Sequence, residues 1–374
     1  MKVLYDLQAF QWTRYSGIPR YFTELISEFN TMDDVYVQLP CTYCMNRGYQ
    51  NLFPDKRKSL LWKMIDLMID KSDRLNPACY LSIVEKKSLE YINGGDYDVF
   101  HPTFFSPYYL KHIQKKPYVL TIHDLSLEIY PELVSLSFAG ATTLDTELVL
   151  EKASRFIADS EYTKKHFTEY YDIDSDLVDV VYLGPTFDRV SLTTNDSNVS
   201  QYLLYVNLRS GRKNFYSFVA AIKNILKDNN LQLICSGGGC FTQEENVFFK
   251  AHGISELVKY VPADDKKLYS LYQNALAFVF PSIYEGFGLP ILEAFACGCP
   301  VILSDASCHP EVGGDAAVYF NPKDVVSMRN AVERVVSDEK LRNHMREKGY
   351  KQLEKFSWKK CAEETKKVYE RAME

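Results

Sequence analysis

The run from Ala275 to Ala294 constrains the fold more than any other part of the chain. Ala275 to Phe280 is almost wholly apolar, as expected of a strand buried on both faces. Pro281 to Gly288 then supplies a proline and glycines, the residues of a turn. A helix is predicted from Leu289-Pro290, because proline suits the first helical turn, where its missing N–H would have had no partner. Strand, turn and helix in this order point to a parallel sheet covered by helices, an α/β fold.

Chemistry can be read from the same run. The turn presents backbone N–H groups beside a helix N-terminus, which favours an anionic ligand. Glu285 sits on the turn and Glu293 about one turn into the helix, so both are expected at one cleft. Carboxylates do not bind phosphate, but they accept hydrogen bonds from neutral hydroxyls. A polyol joined to a phosphate, meaning a nucleotide sugar, fits both halves of the motif. Two glutamates at this spacing are common on solvated helix faces; the whole string Phe280 to Ala294 is what carries the signal.

That string resembles the Glu-x7-Glu segment of the retaining glycosyltransferases of family 4, which have the GT-B fold. The resemblance implies two Rossmann-like domains facing each other across a cleft, with the donor held mainly by the C-terminal one. It implies that Glu285 contacts hydroxyls of the donor sugar, that the backbone of Gly286, Phe287, Gly288 and Leu289 helps to hold that sugar, and that Glu293 contacts the ribose.

Composition agrees with a soluble enzyme. A chain of 374 residues, 46% hydrophobic and 25% charged, has room for two cores. A net charge of −6 argues against general nucleic-acid binding, which needs a basic face. No stretch approaches the ~18 apolar residues of a spanning helix, and the N-terminus lacks a signal peptide's apolar core, so a cytoplasmic protein is expected. The nine cysteines are scattered and read as reduced. Cys41 and Cys44 form a lone pair without the second pair of a zinc ribbon.

Strands are predicted at Val3–Tyr5, Val35–Leu39, Val99–Phe100, Tyr118–Ile122, Arg155–Ala158 and Val178–Leu183, with helices between them, the first over Pro19–Phe29. The polar stretch Thr193 to Asn198 reads as a linker. A second alternation then starts with strand Tyr202–Val206, helix Asn214–Lys227 and strand Leu231–Cys235, and runs on to Val301–Leu303. The expected division is 1–195, 196–355 and a final segment 356–374. The resemblance implies that the last of these crosses back onto the first.

Arg209 and Lys213 lie just after the strand Tyr202–Val206, at the end where α/β sheets place ligands. A departing diphosphate needs positive charge, which Arg and Lys supply without a metal. The family's diphosphate-binding pair falls on Arg209 and Lys213, although Asn207 replaces a usual glycine and Arg212 is a rival cation. Near the N-terminus, Tyr15 to Phe22 resembles mannosyltransferase-like members, whose glycine loop approaches the donor phosphates. Ser16 replaces the first glycine, so only Gly17 carries over. The family's cleft histidine falls on His123, which ends the strand Tyr118–Ile122; His101 is a weaker candidate of the same kind.

Asp172, Asp174 and Asp176 lack the glycine and glutamate of a calcium loop and read as a solvated acidic loop, so no metal ligand is predicted. Lys56-Arg57-Lys58 precedes an amphipathic, Trp-bearing helix on which Leu61, Ile65, Met68 and Ile69 share a face. That face is expected against the core, the alternative being contact with anionic lipid at the inner face of the membrane.

These readings together imply a metal-independent retaining hexosyltransferase with no cofactor. Its donor would be a nucleotide sugar, GDP-mannose ahead of a UDP-hexose, and its acceptor a saccharide or lipid-linked saccharide of surface polysaccharide. A sugar-nucleotide epimerase and a non-catalytic sugar-nucleotide-binding subunit are the rival readings.

Overall fold

The computed structural model describes residues 1–11, 16–71, 77–130, 143–187 and 202–374. The predicted linker at 193–198 lies outside them. In the N-terminal half the strands are β1 (Lys2–Tyr5), β2 (Tyr36–Gln38), β3 (Val99–His101), β4 (Val119–Ile122), β5 (Arg155–Ala158) and β6 (Val178–Val180). They form two parallel ladders, β2-β1-β3 and β4-β5-β6, joined by a parallel bridge between Phe100 and Tyr118. The C-terminal half holds β7 (Tyr202–Val206), β8 (Gln232–Ser236), β9 (Val258–Tyr260), β10 (Ala277–Phe280), β11 (Val301–Ser304) and β12 (Ala317–Phe320). These make one parallel sheet in the order β12-β11-β10-β7-β8-β9.

The apolar run before the turn is β10, and Ala277 to Phe280 are all buried. It sits at mid-sheet between β11 and β7, so both its faces are covered and alternation with polar residues would have no purpose. Strand order reverses between β7 and β10, and such a reversal opens a crevice beyond the carboxyl ends of the strands. The loops that leave β7 and β10 therefore meet there. In the N-terminal half the reversal lies between β1 and β3.

The final helix, Trp358–Met373, packs against the Gly17–Phe29 helix and the N-terminal sheet. Its Tyr369 hydroxyl hydrogen-bonds with the Tyr5 hydroxyl at 2.7 Å and with His101 Nδ1 at 2.6 Å. His101 Nε2 meets Thr121 Oγ1 at 2.9 Å. His101 is thus no cleft residue: both ring nitrogens are used in a fully buried network that docks the helix. Burial pushes its pKa down to about 3, so the ring stays neutral.

Two expectations change with packing. The strand predicted over Val178–Leu183 ends at Val180; the chain then turns toward Gly184, where an added Cβ would lie 2.3 Å from the Trp358 backbone nitrogen. The amphipathic helix Leu60–Lys71 points Trp62 inward and leaves Leu61 exposed, together with Leu60 and Met64. Leu61 therefore does not share the core face; the side chains of Met68 and Ile69 lie outside the description.

Candidate active site

Glu285 stands on the turn after β10 with its carboxylate buried. Its Oε1 accepts from Lys213 Nζ at 2.6 Å and from Asn207 Nδ2 at 3.2 Å, and its Oε2 accepts from Arg212 Nη1 at 3.3 Å. Burial alone would raise its pKa, but the charges of Lys213 and Arg212 outweigh it and hold the carboxyl at about 2, against an ordinary 4.5. Burial pushes Lys213 down from its ordinary value, and Glu285 offsets that only in part. The short 3-10 turn Gly211–Lys213 aims both cations at the crevice, and the Phe215–Asp228 helix follows it. The two loops are tied directly, since Ile283 N–H donates to the Arg212 carbonyl at 2.8 Å.

Arg212 also reaches across the cleft. Nη2 donates to Asp124 Oδ2 at 3.4 Å and to Ser126 Oγ at 3.3 Å, both on the loop after β4. Next to them, His123 Nδ1 hydrogen-bonds with Asp159 Oδ2 at 2.7 Å, which orients the ring. Its Nε2 has no partner among the described residues. Gly286 carries the tightest contact between the halves: an added Cβ would lie 1.5 Å from the His123 carbonyl oxygen, so no other residue fits. The Gly286 carbonyl accepts from Ser160 Oγ at 2.6 Å and Thr163 Oγ1 at 3.0 Å. From the C-terminal half, Glu311 caps the Glu161–Tyr171 helix, accepting from Glu161 N at 2.7 Å and Tyr162 N at 3.2 Å. Gly288, at φ +100°, turns the chain into the Leu289–Ala296 helix. The N–H groups of Phe287, Gly288 and Leu289 meet no acceptor among the described residues and sit at that helix N-terminus. The Phe287 side chain is core, against Tyr182 and Phe356, so only its backbone is offered to a ligand.

Arg209, expected beside Lys213, pairs with Glu245 rather than with Glu285. It is 5% exposed. Its Nε donates to Glu245 Oε1 at 2.6 Å, Nη1 to the Gly237 carbonyl at 2.6 Å, and Nη2 to the Gly239 carbonyl at 2.9 Å. The ring of Phe241 lies 4.9 Å from its guanidinium carbon. Three successive glycines with positive φ, Gly237 to Gly239, turn these carbonyls onto it. Each of its three nitrogens is thus engaged by a carbonyl or carboxylate, and it is Arg212 that joins Lys213 on Glu285. The adjacency of Arg212 and Lys213 just before the helix was the available signal. Asp124, Ser126, Asp159 and Glu311 were missed because the partners that give them a role are distant in sequence: Arg212 for the first two, His123 for Asp159 and the Glu161–Tyr171 helix for Glu311.

Glu293 lies deeper. Thr186 Oγ1 donates to its Oε1 at 2.8 Å and the Tyr272 hydroxyl to its Oε2 at 3.1 Å. Burial raises its pKa, with Arg20 partly offsetting this. Gly17 opens its helix with free space where a Cβ would be. Asp172 and Asp174 are exposed and serve as a left-handed helix cap and the cap of the turn Ser175–Leu177. Cys44 is buried and Cys41 half-buried.

Two family models follow each other along the chain: Glycosyltransferase Family 4 over residues 47–189, and Glycosyl transferases group 1 over 194–352. The chain belongs to the glycosyltransferases of family 4 and has the GT-B fold. It is similar to an O-antigen chain mannosyltransferase B of Escherichia coli, 27% identical over 73% of this chain and 74% of the relative. An uncharacterised glycosyltransferase of Methanocaldococcus jannaschii is 28% identical over 79% and 81%. Among solved structures, a sucrose-phosphate synthase from Thermosynechococcus elongatus superposes with a TM-score of 0.70 at 18% identity, covering 99% of this chain and 98% of that one. The Anabaena HepE, solved with UDP and glucose, gives 0.69 at 15% over 98% of both.

Proposed function

We propose that the protein transfers a hexose, mannose ahead of others, from a nucleotide sugar to a saccharide or lipid-linked acceptor in surface polysaccharide synthesis. The observation that carries this is the buried cluster of Glu285, Lys213 and Arg212 at the strand-order reversal, closed from the other half by the loop after β4. The donor diphosphate takes the two cations and the N–H groups at the Leu289–Ala296 helix, releasing Glu285 from them. Glu285 then accepts hydrogen bonds from the sugar hydroxyls, and His123 offers Nε2 to the same sugar. As the glycosidic bond breaks, charge grows on the leaving phosphate oxygen, where Lys213 and Arg212 stabilise it. That oxygen takes the acceptor's proton as the acceptor attacks from the same face, giving retention. The cations fill the role a metal has elsewhere, so transfer persists in excess chelator. Glu293 serves the ribose and Gly17 lets the N-terminal loop approach the phosphates. Mannose is put ahead of other hexoses on the similarity to an O-antigen chain mannosyltransferase, and GDP-mannose is the donor we propose for it, ahead of a UDP-hexose.

The exposed Leu60, Leu61 and Met64 stand beside exposed Lys56, Arg57, Lys58 and Lys63, a combination that suits anionic lipid. No helix among the described residues is long and apolar enough to cross a membrane.

A donor screen by thermal shift tests the assignment. A ligand at about 100 times its dissociation constant adds about 2.7 kcal/mol of stability. GDP-mannose should stabilise the chain most, and the product should retain the α-configuration by NMR. Release of an altered free sugar without acceptor would instead mark an epimerase, and binding without turnover a non-catalytic subunit.

A further inference from the structure

A cavity of about 210 Å³ lies between the Gly17–Phe29 and Arg47–Leu52 helices, on the N-terminal half. Arg20, Glu24, Ser27, Arg47 and Asn51 line it, and Asp265 closes it from the C-terminal half. At about 30 Å³ per water, this is the space of about seven waters, comparable to one pyranose ring with its hydroxyls. Among the described residues the charges on the wall balance: Arg20 Nη2 pairs with Asp265 Oδ1 at 2.7 Å, and Glu24 and Arg47 complete two cations against two carboxylates. A phosphate here would face both carboxylates. A neutral polyol would find acceptors in Glu24, Asp265 and the Ser27 hydroxyl oxygen, whose own proton goes to the Thr23 carbonyl at 2.7 Å, and donors in Arg20 and Asn51. The Glu24 carboxylate makes no hydrogen bond among the described residues, and its burial raises its pKa with only partial relief from Arg20. It is therefore a half-buried acceptor with no donor, and hydroxyls would supply one.

Position sets the cavity's role. Tyr21, next to Arg20 and turned about 100° round the same helix from it, has its ring centroid 4.9 Å from that of His123. Arg20 and Tyr21 therefore face different sides of the helix, so a ring in the cavity beside Arg20 is not the ring that carries the attacking hydroxyl beside His123. Ser16, the residue before the Gly17–Phe29 helix, also lines the cavity.

We propose that this cavity holds a neutral sugar ring of the acceptor, set back from the attacking hydroxyl, so that the acceptor is an oligosaccharide. Asp265 completes the wall only when the halves approach, which couples acceptor binding to cleft closure. The proposal rests on the transferase reading above.

Calorimetry on the full chain with GDP present tests it, using mannotriose, methyl α-mannoside and inorganic phosphate as probes. Mannotriose should bind at least tenfold more tightly than methyl α-mannoside. Glu24→Gln and Ser27→Leu should each weaken mannotriose fivefold or more while GDP affinity and Tm stay as in wild type. Equal binding of the two sugars, no sugar binding at all, displacement of mannotriose by phosphate, or unchanged mannotriose affinity in both variants would each overturn the cavity assignment. Donor cleavage is measured separately: if the wild-type chain neither binds nor cleaves any nucleotide sugar, the transferase reading fails and takes this proposal with it. If it cleaves donor and the mannotriose arm is negative, only the cavity assignment fails.

Discussion

Two buried cation–glutamate pairs lie within a few residues of each other along the loop after β7, and they differ in what is left unsatisfied. Arg209 meets Glu245 at 2.6 Å, and Lys213 meets Glu285 at the same distance. Around Arg209 each nitrogen is met by a carbonyl or carboxylate, and Glu245 also closes a capping box with Thr242. Around Lys213 one of three ammonium protons has a partner among the described residues, and Arg212 spreads long hydrogen bonds over four acceptors. A saturated pair is architecture. An unsaturated one, buried at the same cost in desolvation, is poised to change partners when an anion arrives.

The comparison breaks most visibly at Arg209. Arg209→Ala should cost about 3–5 kcal/mol in denaturant unfolding, because Glu245 is left buried and unpaired. Turnover by the folded fraction should stay within about threefold of wild type. A stable variant with lost turnover would return Arg209 to the diphosphate.

Lys213→Ala and Arg212→Ala should behave in the opposite way. Removing a group that stabilises charge in the transition state costs about 10²–10³ in kcat. Steady-state kinetics checks this, and near-normal kcat in both would defeat the assignment.

Glu285→Gln sharpens the division within the site. Hydrogen bonds to a charged group are worth about 1.5–3 kcal/mol, so transfer should fall about tenfold or more. Affinity for the free nucleoside diphosphate should be kept, or rise as Lys213 and Arg212 are freed. Glu293→Gln should weaken the nucleotide instead; calorimetry on both variants reads the difference, and equal losses would end it.

The smallest effect is in pH dependence. Glu285 titrates lower folded than unfolded, so its stabilisation is present above about 4.5 and lost as pH falls toward about 2. Glu293 is shifted upward, so the folded state takes up its proton first and gains stability as pH falls through that raised value. Unfolding curves should lose the acid-limb decline in Glu285→Gln and the upward step in Glu293→Gln. Identical profiles would show that the two carboxylates do not titrate as described.

Legibility in the sequence followed how local each feature is. The Phe280–Ala294 string was readable because a buried strand, a positive-φ glycine and an N-terminal proline each leave a mark within a few residues. Arg155–Ala158 was placed to the residue for the same reason. Choosing between Arg209 and Arg212 was not local. It depends on Gly237 to Cys240 and Glu245 folding back over one arginine, and on Asp124 and Ser126 arriving beside the other. His101 and His123 both end strands, and only packing separates them: Tyr369, from the far end of the chain, occupies one.

By itself, then, the sequence determined the layered α/β class, the family string and the glutamates at its two ends, since periodicity and turn chemistry are written in neighbouring residues. Tertiary structure alone decided which cation serves the cleft and why residue 286 must be glycine. It also decided that Glu285 is held ionised while Glu293 is pushed toward its neutral form. Those properties arise from groups that are distant in sequence and meet only in the folded chain, where burial and the sign of the nearest charge set what each carboxylate becomes.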